Sequence, residues 1–239
     1  MLVAILSDIH GNLEALNAVW ADMAAFAVDE IICLGDMIGY GPDPDEVLQS
    51  VRRRGALCCL GNHELGIANP VERSWFNETA RKGLDLTASL LSADSLAYIA
   101  DLPRFLLLEG ARFVHGFPPD SVTTYLFQAK EHSLASWFAR GEALTFVGHT
   151  HELVLVSREG DGIERRDLGP GTFRPGAGGC IVNAGSVGQP RDGNNNAKYL
   201  LWDSAAETAE VRFVPYDIAA TVAGIRERGF PEYYGSRLW

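Results

Sequence analysis

The 239-residue sequence predicts an α/β fold in which a mostly parallel sheet, flanked by helices, packs on a second and more antiparallel sheet. Three observations predict it. Apolar runs alternate with amphipathic helical runs through the first hundred residues, the second half is a series of short strand-like runs with few helices, and 47% hydrophobic content in a chain this long can bury one large core. No repeat, low-complexity tract or long charged run interrupts the pattern, so residues 1–239 are taken as one domain.

The first run, LVAIL, is a strand that ends at Ser7-Asp8. Asn12 can cap the helical stretch that follows, in which Leu13, Leu16, Val19, Trp20 and Met23 keep the three/four spacing of one buried face. IICLG is the second strand, MIGYGPDPDE a turn-rich link and EVLQSVRRR a helix, and ALCCLG is a third strand leading into NHE. Polar, helical sequence runs from about Arg73 to Ala100. FLLLEG, ARFVHG, LTFVG, LVLVSREG, CIVNAG, KYLLWD and AEVRFVPYD supply the strands assigned to the second sheet. AKEHSLASWF is a helix carrying His132 on the surface, DIAATVAGIRERG is the last helix, and GPGTFRPGAGG, 169–179, is a surface loop.

The N-terminal apolar run is too short for a signal peptide or a membrane span, so a cytoplasmic protein without a membrane partner is expected. Cys33, Cys58, Cys59 and Cys180 sit in apolar runs without C-x-x-C spacing and read as buried thiols. With 31 acidic against 20 basic residues the net charge is −11, which disfavours a stable nucleic-acid partner and a nuclease. The oligomeric state is left open by the sequence.

Chemistry concentrates at strand ends. Asp8 and His10, Asp36, Asn62-His63-Glu64, His115, and His149 with His151 each follow an apolar run, and these five places hold five of the six histidines. Singly, each has an ordinary explanation as a helix cap or turn. Jointly they form a candidate metal site, because ligands collect at the carboxyl ends of strands in open α/β sheets. Carboxylate and amide oxygens with imidazoles and no thiolate suit Mn²⁺, Fe, Zn²⁺ or Co²⁺ better than Ca²⁺. Asp8, His10, Asp36, Asn62, His115, His149 and His151 are too many donors for one ion. Two ions ~3.5–4 Å apart that share a carboxylate would use them all and suit in-line displacement at phosphorus. Alternate residues of an extended chain point the same way ~6.6 Å apart, so His149 and His151 can chelate one ion or divide between two.

Asp8-Ile9-His10 matches D-x-H, Gly35-Asp36 matches G-D, Gly61-Asn62-His63-Glu64 matches G-N-H-[DE], His115 matches a lone later histidine, and Gly148-His149-Thr150-His151 matches G-H-[ST]-H. In this order the blocks resemble the signature of the calcineurin-like metallophosphoesterases. Gly185-Ser186-Val187-Gly188-Gln189-Pro190-Arg191 is similar to the G-S-x-G-x-P-R block of the small bacterial and archaeal phosphoesterases in that superfamily.

The resemblance implies a four-layer α/β/β/α sandwich of two mixed sheets and a dinuclear metal-dependent phosphoesterase. The ions would be two divalent transition metals, Mn²⁺ foremost, with Fe, Zn, Co or Ni as alternatives. Asp8, His10 and His151 would hold one, Asn62, His115 and His149 the other, and Asp36 would bridge them. A hydroxide between the ions would attack phosphorus. His63, as imidazolium, would then protonate or stabilise the leaving oxygen.

The protein phosphatases of the superfamily carry G-D-x-V-D-R-G where this chain has Gly35-Asp36-Met37-Ile38-Gly39-Tyr40-Gly41. Gly39 replaces the acid that polarises the histidine, and Tyr40 the phosphate-gripping arginine. Small phosphodiesters or nucleotides are therefore the expected substrates, ahead of a phosphomonoesterase or protein phosphatase and of a non-catalytic metal-binding scaffold. Arg191 is a candidate to grip phosphate, the other reading being a surface arginine paired with Asp192. Tyr40 is a candidate to stack on a base or aryl group. Asn62 and His63 complete the expected substrate-binding set.

Overall fold

A computed structural model describes residues 1–160, 162–176 and 178–239. The N-terminal half delivers β1 (Leu2–Leu6), α1 (Leu13–Met23), β2 (Glu30–Cys33), α2 (Pro44–Arg53), β3 (Leu57–Cys58) and the helices α3 (Asn62–Ala68), α4 (Pro70–Arg73), α5 (Glu78–Leu90) and α6 (Ala93–Ala100). Then follow β4 (Phe105–Leu108), β5 (Ala111–Val114), α7 (Glu131–Phe138), β6 (Leu144–Val147), β7 (Leu153–Glu159), β8 (Gly162–Asp167), β9 (Gly171–Phe173), β10 (Cys180–Ala184), β11 (Ala197–Asp203), β12 (Thr208–Val214), α8 (Ile218–Glu227) and α9 (Glu232–Ser236). Asn12 caps α1 as expected, its Oδ1 accepting from the amide of Ala15 at 3.0 Å.

Two six-stranded mixed sheets stack face to face, in the orders β3-β2-β1-β11-β12-β9 and β4-β5-β6-β10-β7-β8. The alternation of β1 sets the layers. Ala4 and Leu6 point to α1 and α2, while Val3 and Ile5 meet Phe113, Phe146 and Val182 of the other sheet. On the far side, Val114, Val147 and Ile181 pack against Leu134, Trp137 and Phe138 of α7. The result is the expected α/β/β/α order.

Three assignments are corrected, the first being that α9, and not DIAATVAGIRERG, is the last helix. KYLLWD and AEVRFV belong to the first sheet, since β11 pairs antiparallel with β1 (Ile5 opposite Leu200) and β12 follows it. The reason lies in β11 itself: Tyr199 and Leu201 face the helices while Leu200 and Trp202 face the other sheet, so only a central position covers both sides. The loop assigned to 169–179 contains β9, an edge strand pairing Gly171 with Val211, and Ala177 lies outside the described residues. His132 is exposed on α7 and all four cysteines are buried, as expected. Among the described residues no helix is long and apolar enough to cross a membrane.

Candidate metal centre

The strands that carry the donors run parallel: β1 with β2, β2 with β3, β5 with β6 and β6 with β10. Their carboxyl ends therefore share one rim, and all seven expected donors reach it. The turns there are tight. Of eight non-glycine residues with positive φ among the described residues, six are Asp8, His10, Asp36, Tyr40, His149 and His151, so backbone strain is concentrated at this rim. Cross-loop hydrogen bonds hold the strained turns, among them His10 N to Asp36 O at 2.9 Å, Gly188 N to Asp8 O at 3.0 Å and Ser186 Oγ to Asp8 O at 2.8 Å.

The side chains form two groups. In the first, Asp8 Oδ2 accepts from Ser7 Oγ (2.5 Å) and from the amide of His149 (3.0 Å), which turns Oδ1 inward toward His151 Nε2 (3.2 Å) and His10 Nε2 (3.6 Å). In the second, His115 Nε2 lies 3.1 Å from Asn62 Oδ1, 3.2 Å from His149 Nδ1 and 3.3 Å from Asp36 Oδ2. Asp36 Oδ2 is also 3.8 Å from His10 Nε2 and thus faces both groups, while Asp36 Oδ1 accepts from the amide of His63 at 2.8 Å.

The far ring nitrogens settle what the near ones offer. His10 Nδ1, His115 Nδ1, His149 Nε2 and His151 Nδ1 donate to the carbonyls of Ile38 (2.9 Å), Leu34 (3.0 Å), Thr123 (3.1 Å) and Gln189 (2.6 Å). In a neutral ring the opposite nitrogen then presents a lone pair. The near nitrogens face one another, at 3.1 Å between His10 and His151 and at 3.2 Å between His115 and His149. Such pairs repel unless a proton or cation lies between them. Asp8 Oδ1 is buried there without a hydrogen-bond partner, so the donors fit a divalent transition-metal ion in each group.

Electrostatics point the same way. Burial works against charge on Asp8 and Asp36, yet the neighbouring imidazoles, led by His151 for Asp8 and His115 for Asp36, hold both carboxyls well below the usual range. Burial pushes His149 down to about 3, helped by His115, and pushes His151 down to about 4 against the pull of Asp8. His115 goes the other way: burial opposes its charge, but Asp36 beside it raises it to about 9.

His63 lies on the first turn of α3, 3% exposed, with its Nδ1 edge unpartnered against Gly39. A Cβ at residue 39 would stand 2.1 Å from Nδ1, so the glycine at φ +85° makes room for this ring, and no acid can occupy that position as the backbone stands. Burial pushes His63 down to about 3, against the pull of Asp36. That shift works against the imidazolium expected of it. The ligand atoms of His10, Asp36 and His63 also lie within 4.8 Å of one another.

Glu64 is a site residue that the sequence reading left without a role. Burial beside Asp36 pushes its carboxyl up to about 8, but its two oxygens accept from four backbone amides, of Asp36, Met37, Ile38 and Gly61, at 2.7–3.2 Å, which leaves no lone pair free for a proton. It is the clamp that holds the turn carrying Asp36. Its signal was its place as the acid closing the Gly61-Asn62-His63-Glu64 block.

Arg191 enters the rim on the loop after β10. It contacts Gln189 Oε1 at 2.9 Å and approaches Tyr40, whereas Asp192 pairs with Lys198, so the reading of Arg191 as the partner of Asp192 is overturned. Lys198 is fully buried and also donates to the carbonyls of Asn194 (2.5 Å) and Asn196 (3.1 Å), which fixes the loop behind Arg191. Tyr40 packs among His10, His63 and Tyr234, with ring centroids 4.6, 4.6 and 4.9 Å away. A cleft of about 290 Å³ opens over the second group, lined by Tyr40, Asn62, Trp75, Phe76, Tyr125 and His149.

Residues 1–207 match the calcineurin-like phosphoesterase superfamily domain, and the chain belongs to that superfamily. It is 33% identical over its whole length to an uncharacterized protein of Methanocaldococcus jannaschii, covering 97% of that protein. It is 28% identical to the symmetrical bis(5′-nucleosyl)-tetraphosphatase of Pseudomonas putida, over 50% of this chain and 43% of that one. Among solved structures, a metallophosphoesterase from Sphaerobacter thermophilus aligns with TM-score 0.85 and 34% identity over 100% of this chain and 98% of that one. A hypothetical protein from Pyrococcus horikoshii shares the fold, with TM-score 0.79 at 19% identity over 100% of this chain and 97% of that one. The family implies divalent metal ions, and membership supports a hydrolase of phosphate esters.

Proposed function

We propose that the protein is a dinuclear metal-dependent phosphoesterase acting on small phosphodiesters or nucleotides. The observation that carries the reading is the pair of imidazole nitrogens set face to face in each group, at 3.1 and 3.2 Å, with Asp36 Oδ2 between the groups and Asp8 Oδ1 unpartnered. Asp8, His10 and His151 would hold one ion, Asn62, His115 and His149 the second, and Asp36 both. When bound, the two ions, Mn²⁺ foremost, would lower the pKa of water and neutralise phosphoryl charge.

The chain's own residues do the rest. Arg191, which forms no ion pair among the described residues, supplies planar donors that can grip two phosphate oxygens. His63, neutral and buried beside the rim, donates a hydrogen bond to the leaving oxygen as charge develops there. The absence of an acid at Gly39 and of an arginine at Tyr40 favours esters smaller than phosphoproteins. The likeness to a bis(5′-nucleosyl)-tetraphosphatase supports nucleotide esters.

The experiment is hydrolysis of bis(p-nitrophenyl) phosphate and p-nitrophenyl phosphate by metal-stripped protein titrated with Mn²⁺. Turnover is expected to depend on metal and to favour the diester. No metal-dependent turnover across a broad phosphoester panel would sink the reading. His63→Ala is expected to keep its metal and lose about 10²–10⁴-fold in turnover. Loss of metal from that variant would make His63 a ligand instead.

A further inference from the structure

We infer that Trp75 is a stacking platform for the nucleobase of a nucleotide ester, beside the place where the ester phosphate binds. The inference rests on the phosphoesterase reading for the position of that phosphate, and deepens it by naming what recognises the rest of the substrate.

Four aromatic rings line the cleft over the second donor group: Tyr40, Trp75, Phe76 and Tyr125. Three are already in use. Tyr125 lies flat on His149 (centroids 3.8 Å, planes 10° apart) and flat against Phe127 (4.9 Å, 18°), so it is already stacked on two rings. Tyr40 is enclosed by His10, His63 and Tyr234. Phe76 sets its edge against His63 at 5.3 Å and covers Gly66 of α3. Trp75, in the link between α4 and α5, is 80% exposed, although its chain neighbour Phe76 is anchored on the expected catalytic histidine. A tryptophan face held out at the mouth of a reactive cleft, where three other rings are packed away, is a surface for a planar ligand.

The cleft supplies the remaining features of a base site. Asn77 spends Oδ1 on capping α5, through the amide of Ala80 at 2.9 Å, which leaves its amide hydrogens to meet acceptors on a base edge. About 290 Å³ is at the lower end of ligand pockets, room for one nucleoside unit rather than two. A chain of net charge −11 gains little from a phosphate alone over most of its surface, whereas stacking adds affinity without charge.

The test uses adenosine, which carries no phosphate, as the probe in calorimetric titrations of the wild-type protein, Trp75→Ala and Trp75→Phe. Base–aromatic stacking predicts that Trp75→Ala weakens adenosine binding by about tenfold to hundredfold and that Trp75→Phe stays within about threefold of wild type. Exposure of Trp75 means that the thermal midpoints should coincide. Equal adenosine affinity in the wild type and Trp75→Ala, or no adenosine binding to the wild type at millimolar concentration, overturns the inference. The phosphoesterase reading fails separately: Trp75-dependent adenosine binding without hydrolysis of any phosphoester in the panel sinks that reading and leaves the stacking site standing.

Discussion

The two donor groups share an imidazole geometry and differ in almost everything else. Asp8, His10 and His151 are 0%, 1% and 2% exposed, and the group has a carboxylate of its own. The second group offers the neutral amide of a half-buried Asn62 in place of that carboxylate, and it opens on the cleft that Trp75 borders. A charged donor in a dry pocket attracts a dication more strongly than an amide beside water does. One rim can therefore carry a firmly held ion and a more labile one turned toward substrate.

Asp36→Asn should erase the distinction and give the largest effect. Both ions should weaken together and turnover should fall by about 10³-fold or more, measured as metal content by mass spectrometry and initial rates. One ion lost with the other fully bound would show that Asp36 serves a single site.

Single-group changes sharpen the contrast. Asp8→Asn should weaken Mn²⁺ at the first site by at least about 100-fold, whereas Asn62→Ala should cost the second site about tenfold and leave the first alone. Calorimetric titration of each variant reads both. Equal losses would mean that burial and charge do not separate the sites.

The smallest effect is in pH. His115, raised to about 9, holds its proton at neutral pH in the metal-free protein, and an incoming ion must displace it. Affinity at the second site should rise up to about tenfold per pH unit as pH approaches 9, with about one proton released per ion. His151, already pushed down to about 4, adds no such dependence at the first site near neutral pH. Stability follows the sign of a raised pKa. The His115 proton stabilises the metal-free fold fully below its ordinary value of about 6.5, and that contribution is lost as pH rises through about 9. In chelator the thermal midpoint should thus be lower at pH 9 than at pH 6.5; an unchanged midpoint, with metal affinity flat over the same interval, would place the proton elsewhere.

Much of the fold was legible because strand and helix periodicities differ, and β1, α1, β2, α2, β5, β6 and β10 all follow runs that show theirs. Two strands escaped, as did the short helices α3, α4 and α9. In β8, GIERRD has almost no apolar alternation, since it is an edge strand exposed along nearly its whole length, where charge guards against further pairing. In β9, three residues set among glycines and prolines are ordered only by their pairing with β12. The partition of β11 and β12 between sheets was equally hidden, because a strand apolar on both faces fits the centre of either sheet.

The sequence by itself determined the inventory of the candidate site: seven expected donors at strand ends, His63 beside them, and Arg191 after a further strand. Short-range order suffices there, since the donors follow five strands and parallel strands share a carboxyl end. Only the tertiary structure decided how those donors are used. The orientation of each imidazole depends on a carbonyl from another segment, such as Leu34 for His115 and Gln189 for His151, and the turn at Asp36 depends on Glu64, 28 residues away. The lowered pKa of His63 and the exposure of Trp75 arise from what packs around them. Charge state and accessibility belong to surroundings assembled from distant segments, so no local pattern encodes them.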